Sequence, residues 1–160
     1  MEPRIDFNQK IAAGAMQAMM GLETFVQRSG LERPLVELVK ARVSQINGCA
    51  YCIDMHTKDA RAAGETEQRL YALNAWRETP FYSERERAAL EWSEELTLIS
   101  KNDVPDELYA RMRQHFSEEE LVKLTLAVVA INGWNRIAIS FRSVPGSYQP
   151  RRQPEAAAAR

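Results

Sequence analysis

The sequence predicts an all-α domain, a bundle of about six to seven helices. Three observations carry that prediction. Apolar residues recur at spacings of three and four along most of the chain. No run sustains the period-two alternation of a half-buried strand. Ser-x-x-Glu capping boxes, the mark of a helix start, occur at Ser83/Glu86 and at Ser117/Glu120.

The elements follow in order. Phe7, Ile11, Ala15, Ala18, Leu22 and Phe25 form one helical face; Asp6 with Gln9 can open that helix and Gly30 can end it. Met16, Met19 and Met20 lie on a neighbouring face and read as pliable packing or a subunit contact. The spacing predicts a second helix over 32–46, with Pro34 tolerated in its first turn. Leu35, Leu38, Val39, Arg42, Val43 and Ile46 make one stripe of it, and Glu37, Ala41 and Ser44 another. Asn47-Gly48 breaks it, because glycine accepts the positive φ of a helix cap. A third helix begins near Cys49–Cys52 and ends at Gly64, and a fourth covers 67–76 before Pro80. The two capping boxes open helices over 84–99 and 118–141, with a short helix over 106–114 between them. Within the last, Leu121–Ile131 is apolar on almost every face. Such a helix must be covered all round, as the central helix or at a subunit interface. The predicted domain is 1–146, followed by a flexible polar tail, 147–160, that ends in alanines.

Length and charge exclude several classes. A chain of 160 residues reads as one domain, large enough to fold without a disulfide or metal. With 21 basic and 22 acidic side chains it has no general attraction to nucleic acid or to an anionic membrane. The apolar stretch 11–22, interrupted by Gln17, is shorter than the roughly 18 residues a membrane span needs. The charged N-terminus lacks a secretory apolar region, so the expected location is cytoplasmic.

The chemistry concentrates in residues 37–56, which hold both cysteines, Cys49 and Cys52, and one of the two histidines, His56. Two cysteines in a chain this long are no disulfide scaffold; C-x-x-C here reads as catalytic or metal-binding first. Cys52 falls in the first turn of the third helix, where free N–H groups and the helix dipole favour a thiolate. This makes Cys52 the expected nucleophile, with Cys49 able to reach the same sulfur. His56 stands four residues after Cys52 on the same face and can relay a proton near neutral pH. If the second and third helices form a hairpin through Asn47-Gly48, Glu37 lies beside the start of the third and can polarise His56 or a water against Cys52. Nucleophile, base, base-orienter and resolving thiol are then together. Two other readings stay open on residues alone. One is a zinc site of Cys49, Cys52, His56 and Glu37, although structural zinc sites usually take four Cys/His ligands and only His115 remains. The other is a pair of buried structural cysteines.

The pattern Glu37, eleven residues, Cys49-x-x-Cys52, three residues, His56 resembles the signature of the alkylhydroperoxidase AhpD-like family, within the carboxymuconolactone decarboxylase superfamily. The approach to it, residues 40–49, and the stretches 78–83 and 130–136 are also similar to small single-domain members. The resemblance implies an all-α fold with the C-x-x-C at the N-terminus of a central helix, and a homo-oligomer, commonly a trimer or hexamer. It implies a thiol-dependent hydroperoxide reductase or disulfide oxidoreductase in antioxidant defence, in which Cys52 attacks the peroxide, Cys49 closes a disulfide, and Glu37 and His56 relay the proton. No flavin or nicotinamide motif is visible, so the expectation is no cofactor and no metal, with an external dithiol or redox protein as reductant. The chain departs from the best-known type at Tyr51, where that type has histidine. A phenol with a pKa near 10 is no base at neutral pH and at most relays a hydrogen bond. A dithiol electron carrier is therefore one alternative. A decarboxylase-like lyase, whose chemistry does not need the cysteine pair, is another.

Overall fold

The computed structural model describes residues 2–5 and 12–150. Its order is α1 (Ala13–Gln27), α2 (Arg33–Asn47), α3 (Ala50–Ala62), α4 (Glu67–Ala72), a 3-10 segment (Leu73–Glu78), α5 (Glu84–Thr97), α6 (Asp106–His115) and α7 (Glu118–Phe141). No strand occurs among the described residues. The all-α bundle predicted from the sequence is the fold observed. The helix start expected at Asp6 and Gln9 lies outside the described residues.

Local signals set most boundaries. Both capping boxes form: Ser83 and Ser117 each accept from the backbone N–H three residues on, while Glu86 and Glu120 reach back to the cap N–H at 2.8 Å. The fourth helix departs from expectation. It tightens at Leu73 into 3-10 geometry and kinks at Ala75 (φ −117°, ψ 27°). In a 3-10 helix residues three apart eclipse, which brings Leu73 and Trp76 onto one buried side under α2 and α5.

The element packed on most sides is α2, which meets α3, α5 and α7. Leu38, Val39, Ala41 and Val43 are wholly buried, and the helix also buries Glu37, Lys40 and Ser44. One core lies between α2, α5, α6 and α7, around Val39, Val43, Met112, Phe116, Leu124 and Ile131. A second joins Leu38, Ala60, Leu70, Leu73, Trp76 and Leu90. Of the two roles expected for α7, the structure gives the central one to α2. Although α7 is long and apolar enough to cross a membrane, it lays Leu124, Ala127, Val128 and Ile131 into the core. Its other side leaves Val122 59% and Val129 52% exposed.

Buried charges are paired. Glu94 of α5 accepts from the Trp76 indole (2.8 Å) and from Arg42 (2.7 Å), and is also bound by Arg77. Burial pushes its carboxyl up, but these donors outweigh burial and hold it below the ordinary carboxylate range. Its contribution to stability is therefore present at neutral pH and lost as pH falls through that depressed value. Glu94→Gln is expected to cost about 1–3 kcal/mol in urea unfolding at pH 7, with the gap narrowing in acid.

Candidate active site

The site begins where α2 ends. Gly48 adopts φ 69°, ψ 31°; its N–H bonds the Gln45 carbonyl at 3.2 Å and the Cys49 N–H bonds the Ser44 carbonyl at 3.0 Å. This double closure turns the chain back sharply with the last carbonyls satisfied. The hairpin places Cys49 at the N-cap of α3, its carbonyl accepting from Ile53 N–H at 2.9 Å, and Cys52 third in that helix.

Both cysteines are free thiols, each 1% exposed. The Cys52 thiol donates toward the Cys49 sulfur. That interaction comes first, and the backbone N–H groups of Cys52 and Tyr51 and the Asn135 amide are turned the same way; against the cost of burial they hold the Cys49 thiol down to about 7. The same contact, then burial and the neighbouring charge, push Cys52 up. The pair thus shares one proton near neutral pH, with the thiolate resting on Cys49. Access is divided the other way: Cys52 lines a cavity of about 380 Å³, and Cys49 does not. The sequence reading placed both thiolate and attack on Cys52; the structure separates charge from access. The cause is the direction of the hydrogen bond between the two sulfurs; Asn135, a fully buried side chain of α7, favours the thiolate of both. Its amide also donates to Ser44 Oγ at 3.1 Å and its Oδ1 accepts from Asn47 at 2.8 Å.

Across the hairpin, Glu37 of α2 meets His56 of α3, Oε2 to Nδ1 at 2.8 Å. Both are buried, His56 to 4% exposure, and both line the cavity with Cys52. A carboxylate at Nδ1 keeps the proton on that nitrogen and leaves Nε2 for chemistry. Tyr51 also lines the cavity; burial first, then the charges of Cys52, Asp54 and Cys49, push its phenol further up, so it supplies no base.

Sequence reasoning missed the outer part of the site. Asp59, one turn beyond His56, lines the cavity and accepts from Tyr148 Oη at 2.8 and 2.9 Å. Its position three residues after His56 on one helix face was the available signal. Tyr148 belongs to the stretch expected to be a flexible tail. Its beginning is instead fastened to α3: Lys58 donates to the carbonyls of Gly146 (3.3 Å) and Tyr148 (3.1 Å), and Gly146 N–H donates to Asp54 at 3.0 Å. The rest of that stretch, 151–160, lies outside the described residues. On the far wall Glu23 of α1 is bound by the buried Lys40 of α2 and by Gln27 at 3.2 Å. Burial pushes the Glu23 carboxyl up, but Lys40 wins and holds it below its ordinary value.

Glu37, His56 and Asp59 bring their donor atoms within 4.8 Å of one another, so among the described residues the group that could hold a metal ion is this one, without either sulfur. The zinc set considered from the sequence, with both cysteines, is not assembled.

Residues 12–95 match the model of the carboxymuconolactone decarboxylase family. The chain is 54% identical over 140 residues to the uncharacterized protein YdfG of Bacillus subtilis (strain 168), covering 88% of this chain and 95% of that one. Among solved structures it is similar to a protein of unknown function, ATU0492 from Agrobacterium tumefaciens, provisionally described as the antioxidant defence protein AhpD. The TM-score is 0.87 at 46% identity, covering 92% of this chain and all of the other. It also superposes on the apo debrominase Bmp8 with a TM-score of 0.71, covering 84% of this chain and 73% of that one. At 19% identity that likeness concerns the fold alone.

Proposed function

The chain belongs to the carboxymuconolactone decarboxylase family, and from that premise we propose that it is a dithiol peroxidase of the AhpD-like kind, reducing hydroperoxides with the Cys49–Cys52 pair. The observation that carries this reading is one cavity holding the Cys52 sulfur and a buried Glu37–His56 pair, with the second sulfur directly behind the first. That is a nucleophile, an acid–base group and a resolving thiol in one place.

In the proposed cycle the Cys52 proton passes to the Cys49 sulfur it already faces, which leaves the thiolate on the cavity wall. That thiolate attacks the terminal peroxide oxygen. The O–O bond breaks, the S–O bond forms, and the alkoxide leaves with a proton from protonated His56, whose charge Glu37 balances. Cys52 is now a sulfenic acid. Cys49 gives its proton to the neutral His56 and attacks the Cys52 sulfur. Hydroxide departs with that proton as water, and the disulfide is closed. Two thiols and one hydroperoxide have become a disulfide, an alcohol and water. An external dithiol restores the pair by exchange, in a reducing compartment such as the cytoplasm.

The test is peroxide treatment of the reduced protein with mass spectrometry of the thiols. One Cys49–Cys52 disulfide per peroxide consumed is expected; no disulfide would overturn the proposal. Because the pair must lose one of its two protons to react, the rate is expected to rise as pH increases through about 7, the value to which Cys49 is held.

Tyr51 favours one variant of this reading. With no second base beside Cys52, the same pair also suits a carrier that takes its oxidising equivalents from a disulfide in another protein. A rate with a protein disulfide well above that with any hydroperoxide would decide for the carrier.

The exposed apolar strip of α7, with Val122 and Val129, supports a homo-oligomer, a trimer or hexamer being the expectation. Sedimentation at several times the 18.2 kDa chain mass is the expected result.

A further inference from the structure

The walls of the cavity divide into two kinds. Met20, Met55, Trp134 and Ile137 offer apolar surface. Glu23, Glu37 and Asp59 offer carboxylates. No lysine or arginine stands among the described lining residues. Two cations beside the site are turned elsewhere. Lys40 is 2% exposed and spends its ammonium on Glu23 from behind the wall, so that pair shows its negative end to the cavity. Lys58 is bound to Asp54 and to two carbonyls of the 146–148 segment. Asp59 receives a hydrogen bond but no charge from Tyr148, and it feels His56 in the wall and Arg33 from outside the lining; burial, with the Glu37 charge, outweighs these and pushes its carboxyl up.

Resting on the proposed peroxidase reading, and extending it to substrate class, we infer that the cavity is a charge filter, with Asp59 and Glu23 as the residues that set it. It admits uncharged organic hydroperoxides of modest size and turns away those whose anionic group must enter beside Cys52. The apolar side chains hold the organic part; the carboxylates repel a second negative charge. At contact distance in a partly screened site, such repulsion amounts to roughly tenfold or more in rate.

The filter is measurable at Cys52 without any peroxide. Iodoacetamide and iodoacetate are close in size and differ by one negative charge. Each forms a C–S bond to a thiolate and releases iodide. The reduced full-length protein is treated with each at pH 8 and low ionic strength, Cys52 modification is followed by peptide mass spectrometry, and the rate ratio is divided by that for free dithiothreitol. A residual preference for iodoacetamide of about tenfold is expected, falling in high salt as screening sets in. Asp59→Asn is expected to reduce the preference about threefold, and Glu23→Gln to reduce it also. Tyr148→Phe, which keeps the Asp59 charge, retains it. A ratio equal to that of the free thiol, or one unchanged in both carboxylate variants, overturns the filter. A parallel arm compares kcat/KM for cumene hydroperoxide and its ring-carboxylated analogue. Turnover of both at equal rates, with unbiased alkylation, rejects the filter and keeps the peroxidase. Biased alkylation with no turnover of either peroxide keeps the filter and rejects the peroxidase.

Discussion

Replacing Cys52 by serine is expected to bring peroxide consumption down to the rate measured without protein. The hydroxyl that replaces the thiol is a far weaker nucleophile at neutral pH, and Cys52 is the sulfur on the cavity wall. Cys49→Ser behaves differently. It leaves the attacking sulfur in place and removes the neighbour whose hydrogen bond and charge push the Cys52 thiol up. One peroxide should then be consumed per chain, and the product should stop at a Cys52 sulfenic acid, trapped by dimedone and seen by mass spectrometry. The pair of variants separates access from charge. If Cys52→Ser keeps its first turnover and Cys49→Ser loses it, the sulfur that holds the thiolate is the one that attacks, and the assignment reverses. Glu37→Gln should slow the first step less, about a hundredfold, the ordinary range for an acid–base contribution. It keeps a polar contact to His56 Nδ1 but loses the charge that balances the imidazolium.

The second large effect is on stability. Lys40→Ala removes a side chain that is 2% exposed and the ammonium that binds Glu23. It leaves behind a partly buried carboxylate and a space the length of a lysine. Breaking one half of a buried pair costs about 3–5 kcal/mol, a large part of the roughly 5–15 kcal/mol by which a domain is stable. Urea unfolding followed by tryptophan fluorescence measures it. The double variant Lys40→Met with Glu23→Leu is expected to recover most of the loss, because replacing both charges with packed apolar groups removes the desolvation cost together with the attraction. A single-variant loss below about 1 kcal/mol would mean that water reaches the pair and that α1 is held to α2 by other contacts.

The parts of this molecule that were legible in the sequence are those decided within a few residues. Ser83 and Ser117 start helices because their partners are three residues away. Gly48 closes α2 because only a left-handed residue makes that turn, and the turn in one step makes the hairpin that carries Glu37 to His56. The 3-10 winding at Leu73 was not legible, since it follows from the burial of Trp76 against helices elsewhere in the chain. Where the thiolate rests between the two sulfurs was not legible either. Helix position singled out Cys52 for both thiolate and attack, whereas the hydrogen bond from the Cys52 thiol to the Cys49 sulfur favours the charge on Cys49, and the cavity reaches Cys52. Lys40 could have been noticed as a charge between the apolar Val39 and Ala41 of α2, but its partner Glu23 lies on another helix. Tyr148 gave no local signal: a tyrosine in a polar, proline-containing stretch has no partner until α3 is folded beside it.

The placement of the reacting groups on helices sets what directed evolution of this scaffold can reach. Glu37 and Lys40 ride on the core helix, and Cys52, His56 and Asp59 on the one hairpinned to it, so their geometry is inherited from core packing. Randomising the surface turns near residues 64–66 or 100–104 should leave the chemistry where it is. Variation in Met20, Met55, Trp134 or Ile137 changes the shape of the cavity while leaving the helices that hold the sulfurs in place. A mutant library built on those four positions would explore new substrates on an unchanged reaction, and one built on α2 would mostly return unfolded protein.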